Sequence, residues 1–152
     1  MKTTTEVNFT KVTEQQQGAA KDIILEGFKE HFGFIDHTMN PDLNNIYRHF
    51  NKNGNAFYVG EIEDCIICTG AITKESESTA RIERMSVKKE YRRQGVAQKM
   101  LFHLERQAEK MGYSKIVIET NREWPSAINL YKTNGYTPFK RDSQRIHMLK
   151  QL

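Results

Sequence analysis

Residues 79–111 read TARIERMSVKKEYRRQGVAQKMLFHLERQAEKM, and the order of segments within them decides the fold. TARIERMSV is a β-favouring run with alternating apolar and polar residues, the pattern of a strand. From about Gly95 to Met111, the residues Met100, Leu101, Leu104 and Ala108 recur at helical spacing, and Gly112 supplies a stop. Between strand and helix lies YRRQG, a short loop with two arginines that ends in glycine. Positive charge gathers around it: Arg84, Lys88, Lys89, Arg92, Arg93 and Lys99 stand against the single acid Glu90.

A strand, a basic glycine-containing loop and a helix start together form a grip for phosphate. The first amides of a helix have no carbonyl partner within it, and the helix dipole adds partial positive charge at that end. Gly95 has no Cβ to hold a phosphate away, and Ala97 is small enough to keep the approach open. Arg92, Arg93 and Lys99 add charged donors. A solvated helix entrance would carry the same charges, so the surrounding chain has to decide between the two.

Upstream, VNFTKVT reads as a first strand, and residues 14–32 as an amphipathic helix with Ala20, Ile23, Ile24, Phe28, His31 and Phe32 at helical spacing. Asn40-Pro41-Asp42 reads as a helix start, with an N-cap residue ahead of proline. Leu43, Ile46, Tyr47 and Phe50 continue that short helix, and Lys52-Asn53-Gly54-Asn55 closes it. AFYVGEIE and CIICTGAIT read as a hairpin across Glu63-Asp64. Downstream, KIVIET is a short β-branched run suited to a buried strand. PSAINLYKTNG reads as a helix with Pro125 near its start and Gly135 past its end. YTPFKR and RIHMLKQL close the chain as strands, Pro138 marking the first as an edge or bulged one. The sum is one α+β domain over residues 1–152, with about four helices on a mainly antiparallel mixed sheet of about seven strands.

Composition removes several classes. At 152 residues the chain has room for one sizeable core. It has neither the apolar run of a signal peptide nor one long enough to span a bilayer, so a cytoplasmic protein with no membrane partner is expected. Cys65 and Cys68 form a CxxC, but three residues apart on a strand they point to opposite faces, out of bridging range. With no second cysteine pair and five scattered histidines, no metal is expected. A net charge of +4 permits an anionic partner. A nucleic-acid module would spread basic and aromatic residues over a face, whereas here the basic residues cluster at one helix entrance.

The phosphate ligand can be narrowed further. GxxxxGK[ST] is absent, and so is GxGxxG after the first strand, which removes support for P-loop and dinucleotide-binding folds. Two motifs are present: R-x-x-G-x-A at Arg92, Gly95 and Ala97, and A-x-x-L-Y-x-x-x-G-Y at Ala127, Leu130, Tyr131, Gly135 and Tyr136. In this combination the sequence resembles the GNAT superfamily of acyl-CoA-dependent N-acyltransferases. The specific signal lies in residues from about 80 to 136, and the element order matches the family fold over nearly the whole chain.

The resemblance implies a set of roles. The main chain of Met85, Ser86 and Val87 would line the pantetheine arm and acyl group of acetyl-CoA, the cosubstrate. Arg92, Arg93, Gln94, Gly95, Val96, Ala97 and Gln98 would hold its diphosphate. Tyr131 would protonate the departing thiolate, a role suited to a phenol that stays protonated at neutral pH. Trp124 stands where many members carry an asparagine that touches the pantetheine. Glu83 is the candidate base, sharing a strand face with Met85 and Val87 if no bulge intervenes. The acceptor would be a small-molecule or peptide amine. Its site is expected between the first helix pair and the last strands, where Glu30, Asp36 or Asp42 could attract an ammonium group. A homodimer is compatible with this reading. The alternatives are a non-catalytic acyl-CoA sensor and the nucleic-acid module already weighed.

Overall fold

The computed structural model describes residues 6–32 and 41–152, with residues 31 and 32 as backbone only. Strand β1 spans Asn8–Lys11, and a 3-10 turn at Glu14–Gln16 leads into helix α1, Gln17–Phe32. A second 3-10 turn, Pro41–Asn45, leads into α2, Ile46–Phe50. Strands β2 (Ala56–Ile62), β3 (Cys65–Lys74) and β4 (Thr79–Val87) follow, then α3 (Val96–Lys110) and β5 (Lys115–Asn121). Helix α4 (Pro125–Thr133) and strands β6 (Thr137–Arg141) and β7 (Arg145–Gln151) complete the order. The strands form a single sheet in the order β1-β2-β3-β4-β5-β7-β6. Every pair is antiparallel except β4–β5, which α3 joins by a crossover. The α+β class and the mainly antiparallel mixed sheet are as expected.

Alternation sends side chains to two cores. On β2, Ala56 and Tyr58 join the cluster under α3 and α4, while Phe57 and Val59 join the cluster under α1 and α2. Met100, Leu101 and Leu104 of α3 are each at most 1% exposed. Burying a side chain of that size contributes roughly 1.5–3 kcal/mol, so this face fixes α3 on the sheet. Among the described residues no helix is long and apolar enough to cross a membrane.

Local expectations met mixed outcomes. Glu63 and Asp64 turn the hairpin with φ of 50° and 65°, a conformation that matches the twist of the flanking strands. Pro138 lies on an edge strand and beside a register shift, so both readings of it hold. Cys65 is exposed and Cys68 buried, each as a free thiol. The second helix begins later than Pro41. Its first residues wind as a 3-10 turn, and α2 proper is capped by Asn45, whose Oδ1 accepts from the Arg48 amide at 3.2 Å. Asn40 and Asp36 lie outside the described residues.

The feature that shapes the site is in β4. Thr69 pairs with Ser86 and Ala71 with Glu83, so Arg84 and Met85 together face Gly70. This is a bulge, with Arg84 at φ 58°. The Thr69 hydroxyl fixes it by donating to the Arg84 carbonyl at 2.7 Å. A Cβ on Gly70 opposite would lie 2.8 Å from Leu104 Cδ1 and 3.0 Å from Met100 Cγ, so those α3 side chains would have to shift to admit one.

Candidate active site

The bulge reverses which residues of β4 face which core. Before it, Ile82 joins the α3/α4 cluster, and Glu83 is paired with Ala71 of the α1/α2 cluster. After it, Met85 and Val87 pack on the α3/α4 cluster, and the Ser86 hydroxyl turns to α1, 3.4 Å from the Ile23 carbonyl. Glu83 therefore does not share a face with Met85 and Val87, the arrangement expected of an unbulged strand. It lies on the opposite side of the blade.

The β4–β5 ladder ends at Arg81–Val117, while β4 runs on to Val87 and β5 to Asn121. A bulged strand bends, and beyond Arg81–Val117 the two strands no longer pair with each other, which leaves this edge of β4 without a ladder to β5. The basic loop follows directly from this end of β4. Lys89–Tyr91 form a 3-10 turn, Arg93 has φ 61°, and Gly95 caps α3 with φ 79°. The Lys99 amide is the first to bond back along the helix, to the Gly95 carbonyl at 3.1 Å, which leaves those of Val96, Ala97 and Gln98 at the open end. A Cβ on Gly95 would meet nothing within 4 Å, so φ rather than crowding calls for glycine, and the space above the loop is open. Arg93, Gln94, Gln98 and Lys99 are exposed beside it.

Arg92 has a different position. Its Nε donates to the Val87 carbonyl at 3.1 Å, and its Nη1 pairs with the Glu30 carboxylate of α1. The side chain ties the end of β4 to α1, and the residue's main chain leads into the phosphate cradle. Asp42 is likewise engaged, accepting from Arg84 Nε at 2.9 Å and Nη2 at 2.8 Å. Of the carboxylates expected to draw an ammonium group, the two described ones thus already hold arginines.

Glu83 has no such partner: among the described residues no hydrogen bond or ion pair reaches its carboxylate. Burial raises its pKa above the ordinary glutamate value; nearby Arg84 opposes the shift and Asp42 adds to it. Across the blade, Tyr131 of α4 is 7% exposed, and burial pushes its phenol up to about 12. Its hydroxyl lies 3.9 Å from Met85 Sδ, its one hydrogen-bond partner among the described residues. The Tyr131 ring meets Tyr136 edge-on at 5.9 Å. Trp124 sits where β5 passes into α4, its amide on the Asn121 carbonyl at 3.1 Å.

Beneath these lies a group that sequence reasoning missed. The Tyr136 hydroxyl donates to Glu105 at 2.8 Å, and Lys150 pairs with the same carboxylate oxygen at 3.0 Å. Glu105 is only 8% exposed. The signal was available, because Glu105 falls between Leu101 and Ala108 on the apolar face of α3. No cluster of candidate metal ligands occurs among the described residues. An open cleft of about 490 Å³ between β1, α2 and the start of β2 is lined by Tyr47 and Phe50. It lies at the end of β2 away from the phosphate cradle.

Comparison with known proteins agrees with this fold. Residues 21–136 match the model of the acetyltransferase (GNAT) family. A curated relative, probable N-acetyltransferase 14 of Xenopus tropicalis, is 33% identical over 98 residues, covering 63% of this chain and 48% of the relative. N-acetyltransferase 8B of Homo sapiens is 28% identical, covering 68% of this chain and 48% of the relative. The chain thus spans about half the length of these curated relatives. Among solved structures, a GNAT-family acetyltransferase from Staphylococcus aureus superposes with a TM-score of 0.87 at 21% identity, covering 97% of this chain and 99% of that one. The PaiA N-acetyltransferase of Thermoplasma acidophilum, solved in complex with coenzyme A, gives 0.83 at 15% identity, with 97% and 99% covered. At such identities the likeness is one of fold. The family match spans most of the chain, from α1 to the turn after α4, and on it this protein belongs to the GNAT acetyltransferase family.

Proposed function

We propose that this chain moves an acetyl group from acetyl-CoA to a primary amine by direct attack within a ternary complex. The observation that carries the reading is the edge of β4 beyond Arg81–Val117 that β5 leaves unpaired, with the Tyr131 hydroxyl against Met85 on it and the open amides of α3 after it. A relative of the same fold was solved holding coenzyme A, and curated relatives bear N-acetyltransferase names.

In this reading the diphosphate rests on the amides of Gly95 to Gln98, with Arg93 and Lys99 as charged neighbours. The pantetheine runs along the main chain of Met85, Ser86 and Val87, whose β5-facing edge is left unladdered. The amine nitrogen attacks the thioester carbonyl carbon, and a backbone N–H near Met85 steadies the oxyanion. The carbon–sulfur bond then breaks. The thiolate takes its proton from Tyr131, while the proton leaving nitrogen passes to Glu83, directly or through water. The products are the amide and free CoA thiol.

Acid and base thus stand on opposite sides of one blade. The raised pKa of Glu83 makes it a better acceptor than an ordinary glutamate. A lysine-like amine costs about 4.6 kcal/mol to deprotonate at pH 7, an α-amine only about 1 kcal/mol, so a weak base suffices for the second. Free-thiol release from acetyl-CoA over a panel of α-amino and ε-amino compounds tests the proposal. Turnover with at least one amine is expected. Tight acetyl-CoA binding with no turnover on any amine would point instead to an acyl-CoA sensor.

A further inference from the structure

The chemistry above uses the main chain of Met85 and leaves its side chain without a role. That side chain is the second of the bulged pair, turned toward α3 and α4, where its sulfur faces the Tyr131 hydroxyl at 3.9 Å. Resting on the assignment of the chain as an acyl-CoA-dependent transferase, we propose that Met85 sets the size of the acyl group and holds it to acetyl. For Tyr131 to protonate a thiolate, the thioester sulfur must come within reach of its hydroxyl, the position that the methionine sulfur now holds. One sulfur replaces another. The thioether is flexible and can swing aside, but its Cβ is fixed to β4. The displaced side chain therefore stays beside the acyl carbon bonded to the incoming sulfur.

The opposite wall does not yield. Tyr131 is backed by Tyr136, whose hydroxyl is held by Glu105 at 2.8 Å, and Glu105 by Lys150 at 3.0 Å. The Tyr136 amide also donates to the Tyr131 carbonyl at 3.0 Å. An acetyl group ends at its methyl. A butyryl group carries two further carbons into the volume that the displaced methionine needs, and close-packed protein walls respond sharply to each methylene.

The test measures dissociation constants of acetyl-, propionyl-, butyryl- and hexanoyl-CoA by calorimetry, which needs no acceptor amine. Wild-type protein should bind butyryl-CoA at least about 10-fold more weakly than acetyl-CoA, the low end for mismatched methylenes in a fitted pocket. Met85→Ala should reduce that ratio to about 2-fold, and Met85→Val, which removes less volume, should fall between. The Val variant decides the matter if the Ala variant is too unstable to titrate. Two results overturn the inference alone: wild-type protein binding acetyl- and butyryl-CoA equally well, or both variants keeping the wild-type ratio. If wild-type protein binds no acyl-CoA at all, the functional reading fails and this inference with it.

Discussion

The two halves of β4 follow different rules. In the lower half, Ala80 and Arg81 have ladder partners on both sides, and Ala80 and Ile82 are 0% and 3% exposed. In the upper half, from Glu83 to Val87, pairing among the described residues is with β3 alone, a non-glycine residue sits at φ 58°, and one half-buried carboxylate has no hydrogen-bond or ion-pair partner among them. The lower half is arranged for stability. In the proposed function, the upper half gives up a ladder so that a guest can take its place. Arg84–Asp42, Thr69 and Arg92–Glu30 hold the opened segment in shape without closing it. Strain and unmet pairing of this kind gather at functional sites because the surrounding structure maintains them.

Substitutions should separate the halves. The largest effect on stability is expected below: Ile82→Ala removes a core side chain and should cost about 2–5 kcal/mol in denaturant unfolding. A loss near zero would mean the lower half is not the anchor. Above, Tyr131→Phe keeps the ring and its packing against Tyr136. An interaction made mainly in the transition state lowers kcat with little change in KM, so kcat should fall roughly 10²-fold. Wild-type turnover would leave Tyr131 as a core aromatic only.

Gly95→Glu places a like charge at the diphosphate and a side chain at φ 79°. Acetyl-CoA at about 100 times its dissociation constant should stabilise wild-type protein by roughly 2.7 kcal/mol. The variant, somewhat less stable in itself, should lose most of that gain. A full gain would put the phosphate site elsewhere.

The smallest effect sharpens the comparison most. A glutamate whose pKa is raised by folding stabilises fully below its unfolded pKa, near 4.3, and that contribution is lost as pH rises through the folded value. Glu83→Gln should therefore make the protein more stable than wild type at pH 7, with no advantage below about pH 4. Its activity should fall most between the folded pKa of Glu83 and the pKa of the amine, where the wild-type carboxylate is ionised and the amine still needs a base, and the difference should fade at lower pH, where the carboxyl is already protonated. Equal stability across that range would show the carboxylate to be well solvated.

What could be read in the sequence was local. The basic loop, the glycine at the start of α3 and the proline and glycine bounding α4 are short-range signals, and all stand where expected. The bulge left no such mark, because its positive φ falls on an arginine rather than a glycine or asparagine. Nor could the carboxylates be assigned from spacing. Asp42 meets Arg84 across 42 positions and Glu30 meets Arg92 across 62, pairings that exist only once the sheet and α1 have packed. Glu83 was singled out by type and segment, but its face followed from the bulge. Glu105 is the converse, a charge on an apolar stripe that periodicity alone was enough to flag.

Hydrogen exchange with and without acetyl-CoA compares the halves of β4 directly. Ligand that completes the open edge should slow exchange in Met85–Val87 and Val96–Gln98, and leave Ala80 and Arg81, already paired on both sides, unchanged. Protection confined to the segments around Tyr47 and Phe50, with β4 and the start of α3 exchanging as before, would contradict the account.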